Sequence, residues 1–419
     1  MYRKTILDNG LRVVSEAIDH VRSVSIGIWV LCGSRHEDRQ TNGMAHFIEH
    51  MLFKGTRNRT AFDIASAIDS VGGVMNAFTG KEMTSFYIKL PDYHQAMAID
   101  LLADIFKNSR FDSDEIEKEK SVVLQEINLL DDSPDEYIHD YFDEHFWKDH
   151  PLGYPILGSR ALVEGFHREA LVGFVRERYG GENVVLTAAG NLDHDVLVES
   201  VKRAFGCLNR NVSGNGIRPP EISAGVSVME KDLEQVHLVV GCPAPSSTSP
   251  RRYASFLLNA VLGGSMSSHL FQEIREKRGL AYSIHSYLSS YADTGMLGIY
   301  AGTGRSGIRD VVGLIFDELR RMTQVSLTER ELLSARELIK GNFLLSMEST
   351  DNRMTRLARN EITFGEHIPV EAVLRQIDGV TAEDIREMAA EIFDPSSIGM
   401  AAIGPVSEKD LALGIRNVG

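Results

Sequence analysis

The chain has 419 residues, of which 43% are hydrophobic and 25% charged, with a formal net charge of −15 and three cysteines. This length predicts two or more domains, the acidic charge argues against nucleic-acid binding, and three widely spaced cysteines exclude a disulfide framework or a thiolate zinc site. No apolar run reaches the ~20 residues of a membrane-spanning helix and the N-terminus has no signal-peptide pattern, so we expect no membrane partner and predict the cytoplasm.

The first strongly patterned segment is an apolar helix, with Asn42 as its predicted N-cap and Gly55 as its predicted C′ residue. His46, Glu49 and His50 interrupt its apolar sequence, and core packing alone does not explain them, because unpaired buried charge is costly. Residues four apart share a helix face, so both imidazoles can bind one metal ion. Glu49 lies on the neighbouring edge and can reach a water molecule without being a ligand. H-x-x-E-H is an inverse form of a common zinc motif.

The amphipathic helix predicted at Asp114–Leu130 supplies candidates for a third ligand. A catalytic zinc ion usually has three protein ligands and an open position. Glu119 and Glu126 are seven apart and therefore share one helix face. One can bind metal while the other orients a ligand histidine, and their spacing alone does not rank them. The alternative, a solvated acidic face, fits Glu126 less well because this residue lies between Leu124 and Ile127.

Three strand-like segments of the first half recur in the same order between 211 and 214 residues later. The pairs are Ser25–Val30 with Val236–Gly241, Ser85–Leu90 with Leu297–Gly302, and Val185–Gly190 with Gly399–Gly404. This repeat predicts a duplicated domain of ~210 residues, with a linker in the Gly- and Pro-rich stretch 208–223. We therefore predict two homologous α+β domains, 1–212 and 218–419, each a mainly antiparallel sheet packed with helices.

The second half has no counterpart of the two histidines. At the offset of the repeat they fall on Leu257 or Leu258 and on Val261 or Leu262. Apolar residues cannot bind a metal ion, so we expect one zinc ion per chain.

Motifs along the whole chain resemble a known family. Beyond H-x-x-E-H, they are Glu126, 76 positions after the second histidine, Glu119, seven positions earlier, and the segments Gly72–Thr79, His150–Gly158 and Leu270–Tyr282. Together these segments resemble the insulinase/pitrilysin family of zinc peptidases, and within it the bacterial relatives of the mitochondrial processing peptidase β subunit.

The resemblance implies roles for seven residues. His46, His50 and Glu126 would bind Zn²⁺, Glu119 would support a ligand histidine, Glu49 would be the general base, and Arg275 and Tyr282 would bind substrate and stabilise the oxyanion. Six more residues match substrate-binding positions of the family: Asn76, Ala77 and Phe78 of an edge strand that pairs with an extended peptide, Phe53 beside the side chain after the cut, and Glu136 and Asp140 near an arginine.

The implied architecture is a clamshell of two chains, each with two homologous domains that close on the substrate. The implied activity is that of a homodimeric zinc metalloendopeptidase that cuts short or unfolded peptides, with basic residues expected near the cut. Two alternatives remain open from the sequence. In the first, the chain is a non-catalytic subunit of a processing-peptidase-like complex, which we would expect to have lost the zinc motif. In the second, it is an enzyme that forms one half of a heterodimer with a different chain.

Overall fold

The computed structural model describes residues 1–210 and 218–416, with side chains described as far as residue 412. The strands of these ranges are β1 (Tyr2–Ile6), β2 (Arg12–Ala17), β3 (Ser23–Val30), β4 (Val74–Thr79), β5 (Thr84–Pro91), β6 (Val184–Gly190), β7 (Gly225–Glu230), β8 (Gln235–Pro243), β9 (Ala281–Ser290), β10 (Gly295–Gly304) and β11 (Gly399–Gly404).

The helices of the same ranges are α1 (Met44–Leu52), α2 (Ala61–Asp69), α3 (Gln95–Asn108), α4 (Ser113–Asp131), α5 (Pro134–Phe146), α6 (Arg160–Gly165), α7 (Arg168–Arg178), α8 (His194–Phe205), α9 (Arg252–Leu262), α10 (Ile308–Gln324), α11 (Glu329–Ser346), α12 (Thr350–Phe364), α13 (Val370–Gly379), α14 (Ala382–Ile392) and α15 (Glu408–Arg416). None of these helices combines the length and the apolar character that crossing a lipid bilayer demands.

Two sheets repeat one topology. The first has the order β1-β2-β6-β3-β5-β4 and the second the order β7-β11-β8-β10-β9. In the first sheet β6 is parallel to β2 and antiparallel to β3, and in the second β11 is parallel to β7 and antiparallel to β8. The three pairs of repeated segments occupy equivalent strands of the two sheets, which confirms the prediction of two similar α+β domains.

The compact units are not the simple halves that the repeat predicts. The first unit holds Met1–Leu129, the chain from Tyr154 through α8, and Leu345–His367; the second holds Leu130–Gly153, Arg218–Leu344 and the chain from Ile368 onward. Helix α12 therefore belongs to the first unit and α5 to the second, whereas boundaries of 1–212 and 218–419 assign each to the opposite domain. Residues 211–217 of the predicted linker lie outside the described ranges.

The exchanged helix α12 explains why the first sheet is buried on both faces. Along β6, Val184, Leu186 and Ala188 belong to the large core of the first unit. The alternate residues Val185 and Ala189 pack instead in a cluster with α12, because successive side chains of a strand point to opposite faces. A strand covered on both faces is mostly apolar, as β6 is apart from the buried Thr187.

The exchanged helix α5 covers the second sheet in the same way. Phe142 and Phe146 of α5 pack with Val239 of β8 in one cluster. The ring of Phe142 lies so close to Gly241 that a Cβ atom at that position would come within 2.4 Å of it. A glycine in β8 therefore makes the space in which α5 docks.

Candidate metal centre

A buried carboxylate holds the helix that carries H-x-x-E-H. Helix α1 begins after Gly43, which has a φ of 94° and no side chain to act as a cap. Glu37 takes that role: it accepts hydrogen bonds from the backbone N–H of Ala45 (2.6 Å) and of Gly43 (2.8 Å) and from the side chain of Asn42 (3.1 Å). Asn42 is thus a donor to the capping group and not the N-cap residue that the sequence predicted.

Glu37 had no signal in the sequence, since it precedes the helix in an irregular segment. Its side chain is 3% exposed, and burial raises its pKa to about 7, although the hydrogen bonds from Ala45, Gly43 and Asn42 act in the opposite direction. At its other end α1 stops at Leu52, and Gly55, with a φ of 109°, follows two residues beyond the C-cap Phe53. The predicted C′ position of Gly55 is therefore wrong by one residue.

His46, His50 and Glu126 form the only group within residues 1–210 and 218–416 whose geometry suits a metal ion, with three ligand atoms within 4.8 Å of one another. Glu126 Oε2 lies 3.8 Å from His46 Nε2 and 3.7 Å from His50 Nε2. These distances are too long for hydrogen bonds but near the ~3.4 Å that separates ligands of a tetrahedral zinc ion. The same oxygen is buried without a hydrogen-bond partner, which is costly unless a cation binds there. The donor set thus fits zinc.

Glu119 faces the opposite nitrogen of His50. Its carboxylate lies 2.8 Å from His50 Nδ1 and 2.6 Å from Lys54 Nζ and is 3% exposed. Burial acts to raise the pKa of Glu119, but the hydrogen bonds with His50 and Lys54 outweigh it and hold the pKa below its ordinary value. A carboxylate at Nδ1 leaves Nε2 free to bind metal. The fold thereby places Glu126 at the two Nε2 atoms and Glu119 at Nδ1 of His50, a distinction that the sequence spacing could not make.

The two histidines differ in their electrostatic surroundings. Burial lowers the pKa of His46 to about 3, with a smaller contribution from His50. Burial also acts to lower the pKa of His50, but the hydrogen bond with Glu119 and the charge of Glu126 raise it above its ordinary value.

Glu49 lies beside this group and is linked to the neighbouring strand. Its Oε2 accepts a hydrogen bond of 2.5 Å from the hydroxyl of Thr79, the last residue of β4. Burial raises the pKa of Glu49, although the Thr79 hydrogen bond acts to lower it. A carboxylate with a raised pKa suits a group that both takes and returns a proton.

The predicted substrate strand is an edge strand of the first sheet. It is β4, which pairs with β5 alone and exposes alternate residues. Asn76 Oδ1 accepts a hydrogen bond from the N–H of Ala77 (2.8 Å), and the ring of Phe78 stands edge-on to Trp29 at 5.8 Å. Phe53, the C-cap residue of α1, is half-buried with its ring 6.1 Å from Phe86.

Four other predicted residues lie in the second unit. The Arg275 guanidinium lies 5.3 Å from the centre of the Tyr282 ring. Arg275 belongs to the π-helical turn Phe271–Glu276, and Tyr282, which is 79% exposed, lies in β9. Glu136 and Asp140 lie four apart on α5. The structure thus does not bring these four residues into the compact unit that holds the ligand group.

The positions that would repeat the histidines in the second half are apolar core. Leu257, Leu258, Val261 and Leu262 of α9 are all buried. These four residues therefore offer no ligand for a metal ion.

Comparison with known proteins places this arrangement in a family. Residues 12–160 match the model "Insulinase (Peptidase family M16)" and residues 165–339 match "Peptidase M16 inactive domain". A protein of Bacillus subtilis, described as an uncharacterized zinc protease, is 39% identical over 405 residues, which cover 97% of this chain and 98% of that protein. The chain belongs to peptidase family M16, the insulinase family.

Three further similarities each cover 97% of this chain. A protein of Mycobacterium leprae, also described as an uncharacterized zinc protease, is 40% identical over 97% of this chain and 92% of its own. The fold matches a protease from Helicobacter pylori with a TM-score of 0.89 at 22% identity, over 97% of this chain and 99% of the other. It also matches a Pseudomonas fluorescens structure described as a peptidase M16 inactive domain, with a TM-score of 0.91 at 19% identity, over 97% and 98%. All three ligand candidates fall in the first M16 segment.

Proposed function

We propose that this M16 protein is a zinc-dependent endopeptidase that hydrolyses short or unfolded peptides. The observation that supports it most directly is the buried, unpartnered Glu126 Oε2 that faces both histidine Nε2 atoms, with Glu49 at their side. The names of the bacterial relatives support zinc as the metal. A zinc ion held by His46, His50 and Glu126 would polarise the scissile carbonyl and increase the acidity of the attacking water.

The residues around this site would carry out or support proton transfer during hydrolysis. Glu49 takes it from the attacking water and later returns it to the leaving amine, as general base and then general acid. Thr79 holds one oxygen of Glu49 by its hydrogen bond, which leaves the other oxygen for the proton. Glu119 holds the ring of His50 through Nδ1.

Substrate binding in this proposal uses the free edge of β4. An extended peptide would add as a further strand beside Asn76, Ala77 and Phe78, with backbone hydrogen bonds that supply affinity and little sequence specificity. Phe53 would contact the side chain after the cut. Arg275 and Tyr282 would stabilise the oxyanion once the domains close on the substrate.

An acidic pair on α5 would determine the sequence preference of the enzyme. Glu136 and Asp140 would favour an arginine near the cut, since a carboxylate pair recognises a guanidinium by charge-assisted hydrogen bonds. The partners would be the peptide substrate and a second copy of the chain. The two copies would form a clamshell homodimer in the cytoplasm.

The test compares the wild-type protein with Glu49→Gln. Both are purified, their zinc content is measured, and each is incubated with a quenched unstructured peptide that carries arginines. We expect the wild type to cut and to lose activity to a chelator, and Glu49→Gln to retain zinc without cutting.

Two results would contradict the proposal. A zinc-free wild type that still cuts refutes the metal mechanism. A zinc-loaded wild type that cuts none of a diverse set of peptides favours the alternative of a non-catalytic subunit or of one that needs a different partner chain, and size-exclusion chromatography of the pure chain then separates a homodimer from an incomplete heterodimer.

A further inference from the structure

The link between β4 and Glu49 is one directed hydrogen bond. Thr79 lies opposite Thr84 of β5, with their hydroxyl oxygens 3.4 Å apart. Thr84 is fully buried and donates its hydroxyl hydrogen to the backbone carbonyl of Cys32 at 2.9 Å. Since an ionised carboxylate only accepts hydrogen bonds, Thr79 must donate to Glu49. Thr84 uses its hydroxyl hydrogen on Cys32 and Thr79 uses its own on Glu49, so neither hydroxyl donates to the other.

The position of Thr79 gives this bond a further consequence. It is the last residue of β4, and β4 is the edge strand on which the proposed function places the peptide. A bound peptide takes its register from β4, and Glu49 takes its orientation from a residue of the same strand. Movement of the strand end therefore moves the base.

We propose that Thr79 is a positioning residue that aligns the Glu49 carboxylate with the peptide backbone bound along β4. This inference rests on the proposed function and adds a specific residue to it. A hydroxyl at position 79 sets the distance between the base and the attacking water by acting through the Glu49 carboxylate. Small errors in such a distance are expensive, because a displacement of about 1 Å costs on the order of 100-fold in rate.

Three variants test the inference. Thr79→Val removes the hydroxyl and keeps the β-branched shape that a strand favours, Thr79→Ser keeps the hydroxyl, and Thr84→Val makes the same chemical change at the paired position, away from Glu49. For each we would measure kcat and KM on the quenched peptide, zinc content, and melting temperature.

We expect Thr79→Val to lower kcat by roughly 10-fold to 100-fold while KM and zinc content remain near the wild-type values. Thr79→Ser should recover most of that loss. Thr84→Val should lower the melting temperature, because it leaves the Cys32 carbonyl without its donor, and should leave kcat unchanged within about twofold.

The inference is overturned if Thr79→Val keeps full kcat, if Thr79→Ser loses as much as Thr79→Val, or if the loss lies in KM or in zinc content. An equal loss of kcat in Thr84→Val also overturns it, because that result assigns the effect to strand pairing. These outcomes are separate from failure of the proposed function, in which the zinc-loaded wild type itself does not cut.

Discussion

At the scale of single residues, three side chains connect the candidate metal site to the end of helix α1. His50 meets Glu119 at 2.8 Å, and Glu119 meets Lys54 at 2.6 Å. Lys54 balances the charge of a carboxylate that is otherwise buried, and so keeps it ionised and turned toward His50 Nδ1. The sequence indicated the Glu119 face but not Lys54, because the ion pair joins α4 to the turn after α1 and only the folded chain brings them together.

We predict that Lys54→Met weakens zinc binding by about 10-fold to 100-fold, the usual effect of losing a group that orients a metal ligand. Competition with a chromophoric chelator measures the dissociation constant without reference to activity. The control is Lys118→Met, which removes a lysine from the surface pair with Glu115 on the same helix as Glu119. Equal zinc affinity in wild type and Lys54→Met would show that Glu119 needs no cation.

At the scale of elements, each unit is completed by a helix from the other half of the sequence. Helix α5 docks on the second sheet through Phe142 and Phe146, and α12 docks on the first through Met354, Leu357 and Ala358. The periodicity of the sequence predicts helix α4 at Asp114–Leu130, close to its observed bounds of Ser113–Asp131. It does not predict which sheet a helix covers, because an amphipathic pattern records that one face is buried and not what buries it.

We predict that Gly241→Ala destabilises the protein by about 1–3 kcal/mol, the usual cost of overpacking. The added methyl group would meet the Phe142 ring and displace α5. Denaturant unfolding gives the free energy.

The control for this change is Gly313→Ala in α10, where an added methyl group meets nothing within 4 Å. Since glycine weakens a helix interior relative to alanine by roughly 0.5–1 kcal/mol, this variant should be at least as stable as wild type. Equal effects of the two substitutions would show that α5 does not depend on the space above Gly241.

At the scale of the whole molecule, each unit holds a half-buried histidine whose pKa is lowered. Burial lowers the pKa of His36 in the first unit to about 4, with a contribution from Arg178. Burial also lowers the pKa of His139 in the second unit to about 4, with a contribution from His285. Above pH 6.5 these residues are neutral in both the folded and the unfolded chain. Below pH 6.5 the two imidazoles become protonated in the unfolded chain but stay neutral in the folded chain. The free energy of unfolding therefore decreases as the pH falls from about 6.5 to about 4.

We predict that His139→Gln reduces this acid sensitivity. By linkage, a pKa of 6.5 in the unfolded chain and about 4 in the folded chain costs wild type about 2 kcal/mol between pH 7 and pH 5. Glutamine does not titrate, so the variant should lose about that much less, even if loss of the contact with Tyr287 lowers its stability at pH 7. Unfolding curves at the two pH values measure the difference. Identical pH dependence in both proteins would contradict the prediction.

The sequence by itself determined the local features of this M16 protein, since each depends on neighbours along the chain. Helical periodicity places His46 and His50 on one face of α1 with Glu49 on the neighbouring edge, and repeated apolar runs predict the two similar sheets. The tertiary structure decided the rest. Whether Glu119 or Glu126 faces the Nε2 atoms depends on how α4 packs against α1, and the helix cap from Glu37 and the hydrogen bond from Thr79 likewise depend on contacts across chain folds. Such contacts leave no periodic pattern, because each arises from a single pair of residues that the fold brings together.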